Sequence, residues 1–494
     1  MSEPSAAADC SSYSVDELVD VLRQAAQVEH LLANQYLYAA FSMKKYPEEF
    51  GATEGRPSQG IWAQVERNRR WEAKILFTAR QEMEHLALVQ NLLAILDQPA
   101  YLWRANYPVP AASFPLCVPF HLLPFRKHTI EIFRYYEKPD SLALPDPFAD
   151  EESEVVQRLQ SAFDGRPEFV SGFDSVQSMY ECVEQTFLAL LLHQDVVGTN
   201  PNRVVNEHFG FNIQLEPVVQ SDYAGYVSEV ISLIIEQGEG VGQVPPPLGS
   251  HFMAFQSILD GLHEAAMMDS DAAIQAALPT VENPALDVAG HCGDVTLITN
   301  SYTREVAQLF NDLYVLQLQM LSGFFNLYDI DQTTGIRPPH VNAYFRTTFY
   351  PNMTNVMRPL GEMLCRLPAF DDYVPEKGAL PSYTAGPTFE IPVAQGRGMG
   401  SAKLAAVSPP ELPDDALGDV FVERLHAASR KAGTLADGFP WDGFIPLGGT
   451  GYRQQLQYLS QNLWRMAANF DLYWCGEIVA PIPSRDFMNL PDVN

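Results

Sequence analysis

The segment Arg80-Gln81-Glu82-Met83-Glu84-His85-Leu86 decides the fold class predicted for this chain of 494 residues. Glu82 and His85 stand three residues apart, so in a helix their side chains lie one turn apart and can share one metal ion. In helix bundles, a two-metal carboxylate site takes a lone Glu from each of two helices and a Glu-x-x-His pair from each of the other two. The segment therefore predicts an all-α fold with a dimetal centre in its core.

Two apolar stripes carry an acidic residue where a buried side chain is expected. From Val15 to about Met43 the apolar residues recur in steps of three and four, with one gap that Glu29 occupies. A second stripe, from about Trp62 to Leu96, has Glu82 in its vacancy. Burial of even a neutral polar group without partners costs roughly 2 to 7 kcal/mol, so we expect a cation at these carboxylates. Pairing with buried arginines is the alternative, in a chain with 31 Lys and Arg residues.

A third helix is predicted from Ser175 to about Gln194 and offers more than one ligand. Glu184 lies beside its apolar face, and Glu181 turns inward if the helix carries a bulge, as helices at functional sites sometimes do. Tyr180, one turn before Glu184, and Tyr36, about two turns after the carboxylate of the first helix, are candidate catalytic residues. They would donate hydrogen bonds to the ligands or carry a radical. Core packing is the alternative for both tyrosines.

The fourth predicted helix, from Tyr223 to Gln237, ends in a glycine-rich turn where two carboxylates compete as ligands. These are Glu236 and Glu239. His251 begins the next predicted helix and is expected to point into the core. It follows Glu239 by twelve residues rather than three, so the usual second Glu-x-x-His pair is missing. Either the loop 240–249 is an insertion that brings His251 back beside one of these carboxylates, or the second metal has an unusual ligand set.

A family resemblance is carried by the segments Gln27 to Leu37 (QVEHLLANQYL), Glu82 to Leu96 (EMEHLALVQNLLAIL), Glu236 to Gly240 (EQGEG) with Ser250 to Phe255 (SHFMAF), Phe310 to Tyr314 (FNDLY), Met357 to Gly361 (MRPLG) and Ala385 to Glu390 (AGPTFE). Taken together, these segments resemble the ferritin-like domain of iminophenyl-pyruvate dimer synthases of the violacein and rebeccamycin type. In that family a loop of variable length separates the Gln-Gly-Glu-Gly and Ser-His-aromatic elements. The spacing before His251 is therefore similar to that of the family.

The resemblance implies a ferritin-like four-helix bundle with additional helices and long irregular loops, and an oxidative role in specialised metabolism. Relatives of this type join two imines of aromatic 2-oxo acids. We expect residues 15–390 to form a ferritin-like dimetal-carboxylate domain with embedded loops. Residues 391–494 are expected to form a C-terminal extension, in which a linker and two helices pack on the bundle.

Outside the four predicted bundle helices, the apolar periodicity predicts a short helix, then an acidic loop from Glu137 to about Pro167 that is expected to be mobile. No convincing set of strands is predicted. The connector from Tyr107 to Pro124 is expected to be irregular because of its prolines. Its aromatic residues either roof a small-molecule pocket or pack as a lid; they are Tyr101, Trp103, Tyr107, Phe114, Phe120 and Phe125. The further helices are predicted at about His128 to Tyr136, Ser301 to Leu327, His340 to Leu367, Val420 to Ala432 and Tyr452 to Tyr473.

Composition excludes several classes of partner. A net charge of -30 argues against nucleic acid, because phosphates are bound by Lys and Arg, and it disfavours anionic membranes. The apolar stretches are too short to cross a bilayer, and the N-terminus lacks the basic and apolar regions of a signal peptide, so we expect a cytoplasmic protein. The six cysteines have no Cys-x-x-Cys spacing and are expected to be reduced and mostly structural. Homo-oligomer formation is left open.

These features predict a non-haem dimetal enzyme that is an O2-dependent oxidase or oxygenase of a small molecule. Its cofactors would be two iron ions, or iron with manganese, with O2 as co-substrate. The small molecule would be derived from an amino acid or resemble a polyketide, and an aromatic one is compatible with the connector. The alternatives are an imine-coupling dimer synthase of aromatic 2-imino acids, a metal-storage protein, and a metal-free accessory protein.

Overall fold

The fold is helical almost throughout, and its helices are numbered here in chain order. In the computed structural model they are α1 (Val15–Ser42), α2 (Gln59–Ile95), α3 (Lys127–Tyr136), α4 (Val176–Leu192), α5 (Tyr223–Gly238), α6 (His251–Met268), α7 (Ser301–Leu327), α8 (Pro339–Thr347), α9 (Arg358–Leu364), α10 (Asp414–Asp437) and α11 (Tyr452–Trp474). The residues that the structure describes are 10, 13–52, 57–110, 118–148, 173, 175–193, 200–207, 222–238, 249–268, 276–330, 336–371, 381–392, 405–441 and 451–477.

The remaining regular elements are short. Two 3-10 turns, Pro47–Phe50 and Pro201–Arg203, lie between helices, and a π-helical segment, Thr348–Met357, joins α8 to α9. Two parallel strands of two residues each, β1 (Pro284–Ala285) and β2 (Thr296–Leu297), form the one sheet of the described residues. The prediction of an all-α fold is confirmed.

The long helices begin at residues that satisfy their free backbone N–H groups. Ser14 precedes α1, and its hydroxyl accepts a hydrogen bond from the backbone N of Glu17, while the Glu17 carboxylate accepts one from the backbone N of Ser14. This reciprocal capping box is a sequence signature of helix starts. Ser58 accepts from the backbone N of Ile61 at the start of α2. The local sequence thus sets where the two longest helices begin.

A bundle of α1, α2, α4 and α5 forms the first half of the fold. α1 and α2 pack along each other, α4 packs on α1 and on α5, and α5 also contacts α2. Two further helices, α3 and α6, pack against each other, and α6 also contacts α2. The buried polar residues discussed below lie where these six helices meet.

The second half of the fold is built around α7. The helix pair α10 and α11 packs on α7, α8 and the π-helical segment, and α9 contacts α1. The two helices expected in the extension are therefore present, and both are longer than predicted. None of the helices in the described ranges is both long enough and apolar enough to span a bilayer.

The helix predicted from His340 to Leu367 is interrupted. Between α8 and α9 the chain runs through the π-helical segment, which contains Pro351. Proline lacks the N–H of an α-helix and clashes with the carbonyl four residues earlier, so a regular helix cannot continue there. The wider π turn accommodates this residue. The apolar periodicity predicted a helix in this region but not the change from α-helix to π-helix.

One expectation about loops needs correction, and one open alternative is decided for three residues. Glu137, expected to begin a mobile acidic loop, is the C-cap residue of α3 and is buried, with 5% of its surface exposed. Among the connector aromatics, Tyr107, Phe120 and Phe125 are buried in the core, and the Tyr107 hydroxyl donates to the Leu31 carbonyl at 2.7 Å. These three side chains pack as core residues rather than as the roof of a pocket. Phe114 lies outside the described residues.

The expectation that all cysteines are reduced is wrong for one pair. Cys10 and Cys182 form a disulfide that joins the segment before α1 to the middle of α4. Their Cα atoms are 5.4 Å apart, a separation that suits a disulfide. The two residues are 172 positions apart in the sequence, so spacing rules did not detect the pair. Cys365 and Cys475 are free thiols, and Cys117 lies outside the described residues.

Candidate metal centre

A buried cluster of carboxylates and imidazoles lies between α1, α2, α3 and α6. α1 contributes Glu29, α2 contributes Glu82 and His85, the end of α3 contributes Glu137, and α6 begins with His251. Each of these residues has 5% or less of its surface exposed. Groups that are strongly hydrated in water are thus collected where water is excluded, which is unfavourable unless they bind a common partner.

The first half of the cluster contains Glu29, Glu82 and His85. The Nδ1 atom of His85 lies 3.5 Å from Oε2 of Glu29 and 3.4 Å from Oε2 of Glu82. One ligand atom from each of the three residues lies within 4.8 Å of the others. The arrangement is that of three donors around one ion.

The second half contains Glu82 again, with Glu137 and His251. The Nδ1 atom of His251 lies 2.8 Å from Oε1 of Glu82 and 3.5 Å from Oε2 of Glu137. These donors also lie within 4.8 Å of one another. Because Glu82 directs Oε2 to the first half and Oε1 to the second, its carboxylate is placed to bridge two ions.

Both histidines are oriented by glutamines. The Nε2 atom of His85 lies 3.0 Å from the amide oxygen of Gln237, and Nε2 of His251 lies 3.2 Å from that of Gln81. An amide oxygen only accepts, so Nε2 carries a proton, and Nδ1 faces the carboxylates, where it can donate its own proton to them or give it up to bind a metal ion. A ligand histidine typically donates its second N–H to such an acceptor, which fixes the tautomer that binds the metal.

The chemistry of the donors fits a pair of cations. Among the described residues, no Lys or Arg forms an ion pair with Glu29, Glu82 or Glu137. The close pair formed by Oε1 of Glu82 and Nδ1 of His251 lacks hydrogen-bond geometry, and both atoms are buried. Oxygen and imidazole nitrogen donors of this kind suit iron, manganese or zinc.

Without a cation, protons would have to balance the carboxylates. Burial is the largest influence on Glu29, and although His85 opposes it, the pKa of Glu29 rises to about 7. Burial and Glu137 would raise the pKa of Glu82, but His251 and His85 hold it below its ordinary value. Burial opposes charge on His251, yet Glu82 and Glu137 raise its pKa to about 9. The cluster therefore attracts positive charge, either as protons or as metal ions.

Both candidate tyrosines contact the cluster. The Tyr180 hydroxyl donates to Oε1 of Glu29 at 2.5 Å, and the Tyr36 hydroxyl donates to Oε1 of Glu137 at 2.5 Å. Burial, reinforced by the neighbouring carboxylates, raises the pKa of both phenols well above the ordinary value. Both side chains therefore keep their protons and orient the carboxylates, in addition to packing in the core.

The structure places the other predicted ligands elsewhere. Glu184 is half-buried on α4 and belongs to neither half of the cluster, because α4 directs Tyr180 to the site instead. Glu181 is exposed and accepts a hydrogen bond from Gln177. Glu236 is exposed on α5, where its neighbour Gln237 faces the site. Glu239 lies outside the described residues.

Glu137 is the residue that the sequence analysis missed. A signal was present, because Ile130, Phe133 and Glu137 follow one another in helical steps, and the first two are buried. Glu137 thus continues an apolar stripe, as Glu29 and Glu82 do, although it stands at the end of the stripe and not in a gap within it. Gly238 packs beside it, and a Cβ atom at that position would lie 3.3 Å from Oε2 of Glu137.

Little space is left beside the cluster. A cavity of about 10 Å³ borders Glu29, Glu82, His85 and Glu137. This volume is close to the lower limit for one water molecule. Leu32, Val176 and Ile234 close it with apolar surface. The described residues therefore leave room for ions or a diatomic molecule directly beside the cluster.

A carboxylate-histidine centre inside a helical bundle defines a class of metal-binding bundle proteins, and comparison with known families agrees with this class. Residues 22–260 match the Ferritin-like family model. The chain therefore contains a ferritin-like domain, as the resemblance in the sequence predicted. All residues of the cluster lie inside the matched range.

Two curated relatives extend beyond this chain. It is 26% identical over 402 residues to a 2-imino-3-(indol-3-yl)propanoate dimerase from Chromobacterium violaceum, covering 76% of this chain and 34% of that protein. It is 25% identical over 404 residues to a dichlorochromopyrrolate synthase from Lentzea aerocolonigenes, covering 76% and 36%. The chain thus spans about a third of the length of these relatives. The fold was also compared with solved structures. A crystal structure of a ferritin-like protein from Caulobacter vibrioides is 15% identical in sequence, with a TM-score of 0.39. The match covers 75% of this chain and 99% of that protein.

Proposed function

We propose that this protein is a dimetal oxidoreductase that uses O2 to oxidise a small organic molecule, with two iron ions, or iron and manganese, as its cofactor. The observation that carries the proposal is the position of Glu82, whose two oxygens serve two groups of buried donors. Iron in such a centre supplies electrons to O2 and accepts them from a substrate.

Each ligand has a defined role in the proposal. Glu29 and His85 would hold the first ion, Glu137 and His251 would hold the second, and Glu82 would serve both. Tyr180 and Tyr36 keep Glu29 and Glu137 oriented by donating hydrogen bonds. The apolar side chains around the cluster exclude bulk water, which strengthens the electrostatic interactions within it.

The first experiment measures metal. Purified full-length protein is reconstituted without oxygen with Fe²⁺ or Mn²⁺, and bound metal is measured by inductively coupled plasma mass spectrometry. We expect two ions per chain in the parent protein and none in Glu82→Ala. Glu66→Ala, an exposed carboxylate on the same helix, is the matched control and should bind two ions. A parent protein that binds no metal excludes the proposal and supports a metal-free accessory role.

The second experiment distinguishes catalysis from storage. The protein loaded with Fe²⁺ is exposed to O2, and iron release, oxygen uptake and organic products are followed together. An oxidoreductase keeps its two ions and consumes O2 in proportion to substrate. A storage protein takes up many more than two ions per chain and turns over no organic molecule.

Coupling of two 2-imino acids is the second candidate, and the names of the two relatives favour it. The compound to test is 2-imino-3-(indol-3-yl)propanoate, which appears in the name of the first relative. A dimeric product detected by mass spectrometry, and absent with Glu82→Ala, supports coupling. Oxidation of this compound to a monomeric product supports the proposed O2-dependent oxidoreductase but not the coupling reaction.

A further inference from the structure

A second, much larger cavity of about 470 Å³ lies between α1, α2, α7 and the π-helical segment. α1 and α2 present different faces to the two spaces. Glu29 and Glu82 face the metal centre, whereas Ala33 and Leu37 of α1 and Met83 of α2 face this cavity. The volume lies within the range of about 300 to 1,000 Å³ that is typical of small-molecule sites.

The walls of this cavity are mostly apolar. Aliphatic and aromatic side chains come from each of the four elements, so a flat apolar molecule would meet carbon on several sides. Such burial contributes about 25 cal/mol per Å² of apolar surface removed from water. Representative wall residues are Phe41, Leu76, Phe310, Leu318, Phe349 and Met353.

Its polar lining includes one buried donor without an acceptor. Gln317, on α7, has 4% of its surface exposed. Its Oε1 accepts from Nδ2 of Asn352 at 2.6 Å, but among the described residues its Nε2 has no hydrogen-bond partner. The neighbouring Tyr314 hydroxyl is already satisfied by Asn34 at 2.8 Å and His30 at 2.6 Å. A buried donor without an acceptor is unfavourable, and a bound acceptor would relieve this cost.

The two arginines of the lining differ in their partners. Arg358 is neutralised by Glu72 at 3.0 Å and Glu362 at 2.8 Å. Arg80 forms no ion pair among the described residues, its guanidinium lies 4.8 Å from the ring centroid of Phe77, and its Nε atom is buried without a hydrogen bond. Glu84, one turn further along α2, also acts on Arg80 electrostatically, but the guanidinium has no ion-pair partner among the described residues and is positioned to pair with an anion.

We propose that this cavity binds an organic acid with a flat apolar body and one carboxylate, with the carboxylate paired to Arg80 and an acceptor atom meeting Gln317. The apolar walls hold the body, while Arg80 discriminates the acid from its neutral analogue. The proposal goes beyond the proposed metal chemistry and does not require it, because none of the cluster residues lines this cavity.

The test uses two molecules of the same shape, 2-naphthoate and the uncharged 2-naphthamide. Their binding to the full-length protein is measured by isothermal titration calorimetry, before and after removal of metal by a chelator. We expect one 2-naphthoate per chain and about tenfold weaker binding of 2-naphthamide, the size of one charge-assisted hydrogen bond. Absence of 2-naphthoate binding at millimolar concentration overturns the proposal.

Variants locate the bound acid. Arg80→Gln should weaken 2-naphthoate about tenfold and leave 2-naphthamide within twofold. Arg70→Gln, an exposed arginine of the same helix, is the matched control and should change neither. If Arg80→Gln leaves the preference for the acid unchanged, the role of Arg80 is disproved.

Two cavity-filling variants on different helices complete the design. Ala33→Phe on α1 and Ala87→Phe on α2 both reduce the space, and circular dichroism and thermal melting establish which of them fold. Each folded variant should lose binding of both molecules by more than tenfold. A folded variant that binds as the parent does overturns the location, and if neither folds, the Arg80→Gln comparison decides.

Failure of the cavity proposal can be distinguished from failure of the proposed metal function. Glu82→Ala should bind 2-naphthoate as the parent does, because its change lies at the metal centre. If 2-naphthoate binding disappears with the metal, the acid is a metal ligand and the cavity proposal fails. If the protein binds no metal but still prefers the acid, the metal proposal fails and the cavity proposal stands.

Discussion

Oε2 of Glu137, at the C-terminal end of α3, lies 3.5 Å from Nδ1 of His251, the first residue of α6. This contact brings together two residues that are far apart in the sequence, and both are buried. It completes the second half of the candidate metal centre without the second Glu-x-x-His pair. The two donors come from the end of one helix and the start of another, whereas a Glu-x-x-His pair would come from two residues one turn apart on a single helix.

Replacing Glu137 should remove one ion and keep the other. Glu137→Ala deletes a donor of the second group only, so bound Fe²⁺ is expected to fall from two ions per chain to about one, measured by inductively coupled plasma mass spectrometry. Glu131→Ala on the same helix is the control, because the ion pairs of Glu131 among the described residues are those with Lys127 and His128 near the surface. Full metal content in Glu137→Ala would show that Glu137 is not a ligand.

Removing the Tyr180 hydroxyl should destabilise the protein. Tyr180→Phe leaves the buried Oε1 of Glu29 without its donor, and a buried acceptor that loses its partner costs about 1 to 3 kcal/mol. The free energy of unfolding is measured by urea titration of the metal-free protein. Tyr458→Phe, at an exposed position of α11, should change this free energy by less than about 0.5 kcal/mol. Equal values for the two variants would contradict the importance of this hydrogen bond.

The buried ion pair of Arg366 and Glu49 should be essential for stability. The guanidinium Nε donates to Oε1 of Glu49 at 2.6 Å and Nη2 donates to Oε2 at 3.2 Å, with neither side chain more than 2% exposed. Arg366→Leu leaves a buried carboxylate without its cation, so the free energy of unfolding should fall by about 3 to 5 kcal/mol. Arg126→Leu breaks an exposed pair with Glu282 and should cost less than about 1 kcal/mol. Similar losses in both variants would contradict this distinction.

Stability should depend on the pair of His291 and Glu390 in a defined pH window. Burial opposes charge on His291, but its hydrogen bonds to Glu390 and to the Tyr107 carbonyl raise its pKa above the ordinary value. A histidine whose pKa is raised by folding contributes fully below its unfolded pKa of about 6.5, and this contribution is lost as pH rises through the folded pKa.

The partner carboxylate sets the acid limit of this window. Burial would raise the pKa of Glu390, but the hydrogen bond from His291 holds it below the ordinary value. Its contribution is therefore present above the unfolded pKa of about 4.3 and lost as pH falls through the folded pKa. Urea unfolding between pH 4 and pH 9 should show a broad stability maximum that narrows or disappears in His291→Asn. An identical pH profile for the variant and the parent would refute the assignment.

Much of the helical framework follows from local patterns. The steps of three and four in the apolar residues, the Ser14 cap and the glycines after α5 predict where α1, α2, α4 and α5 lie. These signals act between residues that are close in the chain, so one sequence suffices to detect them. The same reasoning identified Glu29, Glu82, His85 and His251, which the structure brings together.

The predicted ligands that lie outside the cluster have a common physical cause for their positions. On α4 the periodicity placed Glu184 beside the buried face, but the packing angle of the helix decides that Tyr180 reaches Glu29. On α5, Glu236 and Gln237 are one residue apart, and a rotation of about 100 degrees between neighbours decides which of them faces His85. Periodicity defines a face of a helix, but not which residue at its edge meets the partner helix.

The sequence by itself determined the helices, the class of the bundle and the Glu82 and His85 pair, because each depends on spacing within one helix. Tertiary structure decided that Glu137 meets His251 at the candidate centre, that Cys10 pairs with Cys182, and that a cavity with Arg80 in its wall lies on another face of α2. These features depend on contacts between segments distant in the chain. Their geometry is set by how whole helices pack, and no local pattern encodes it.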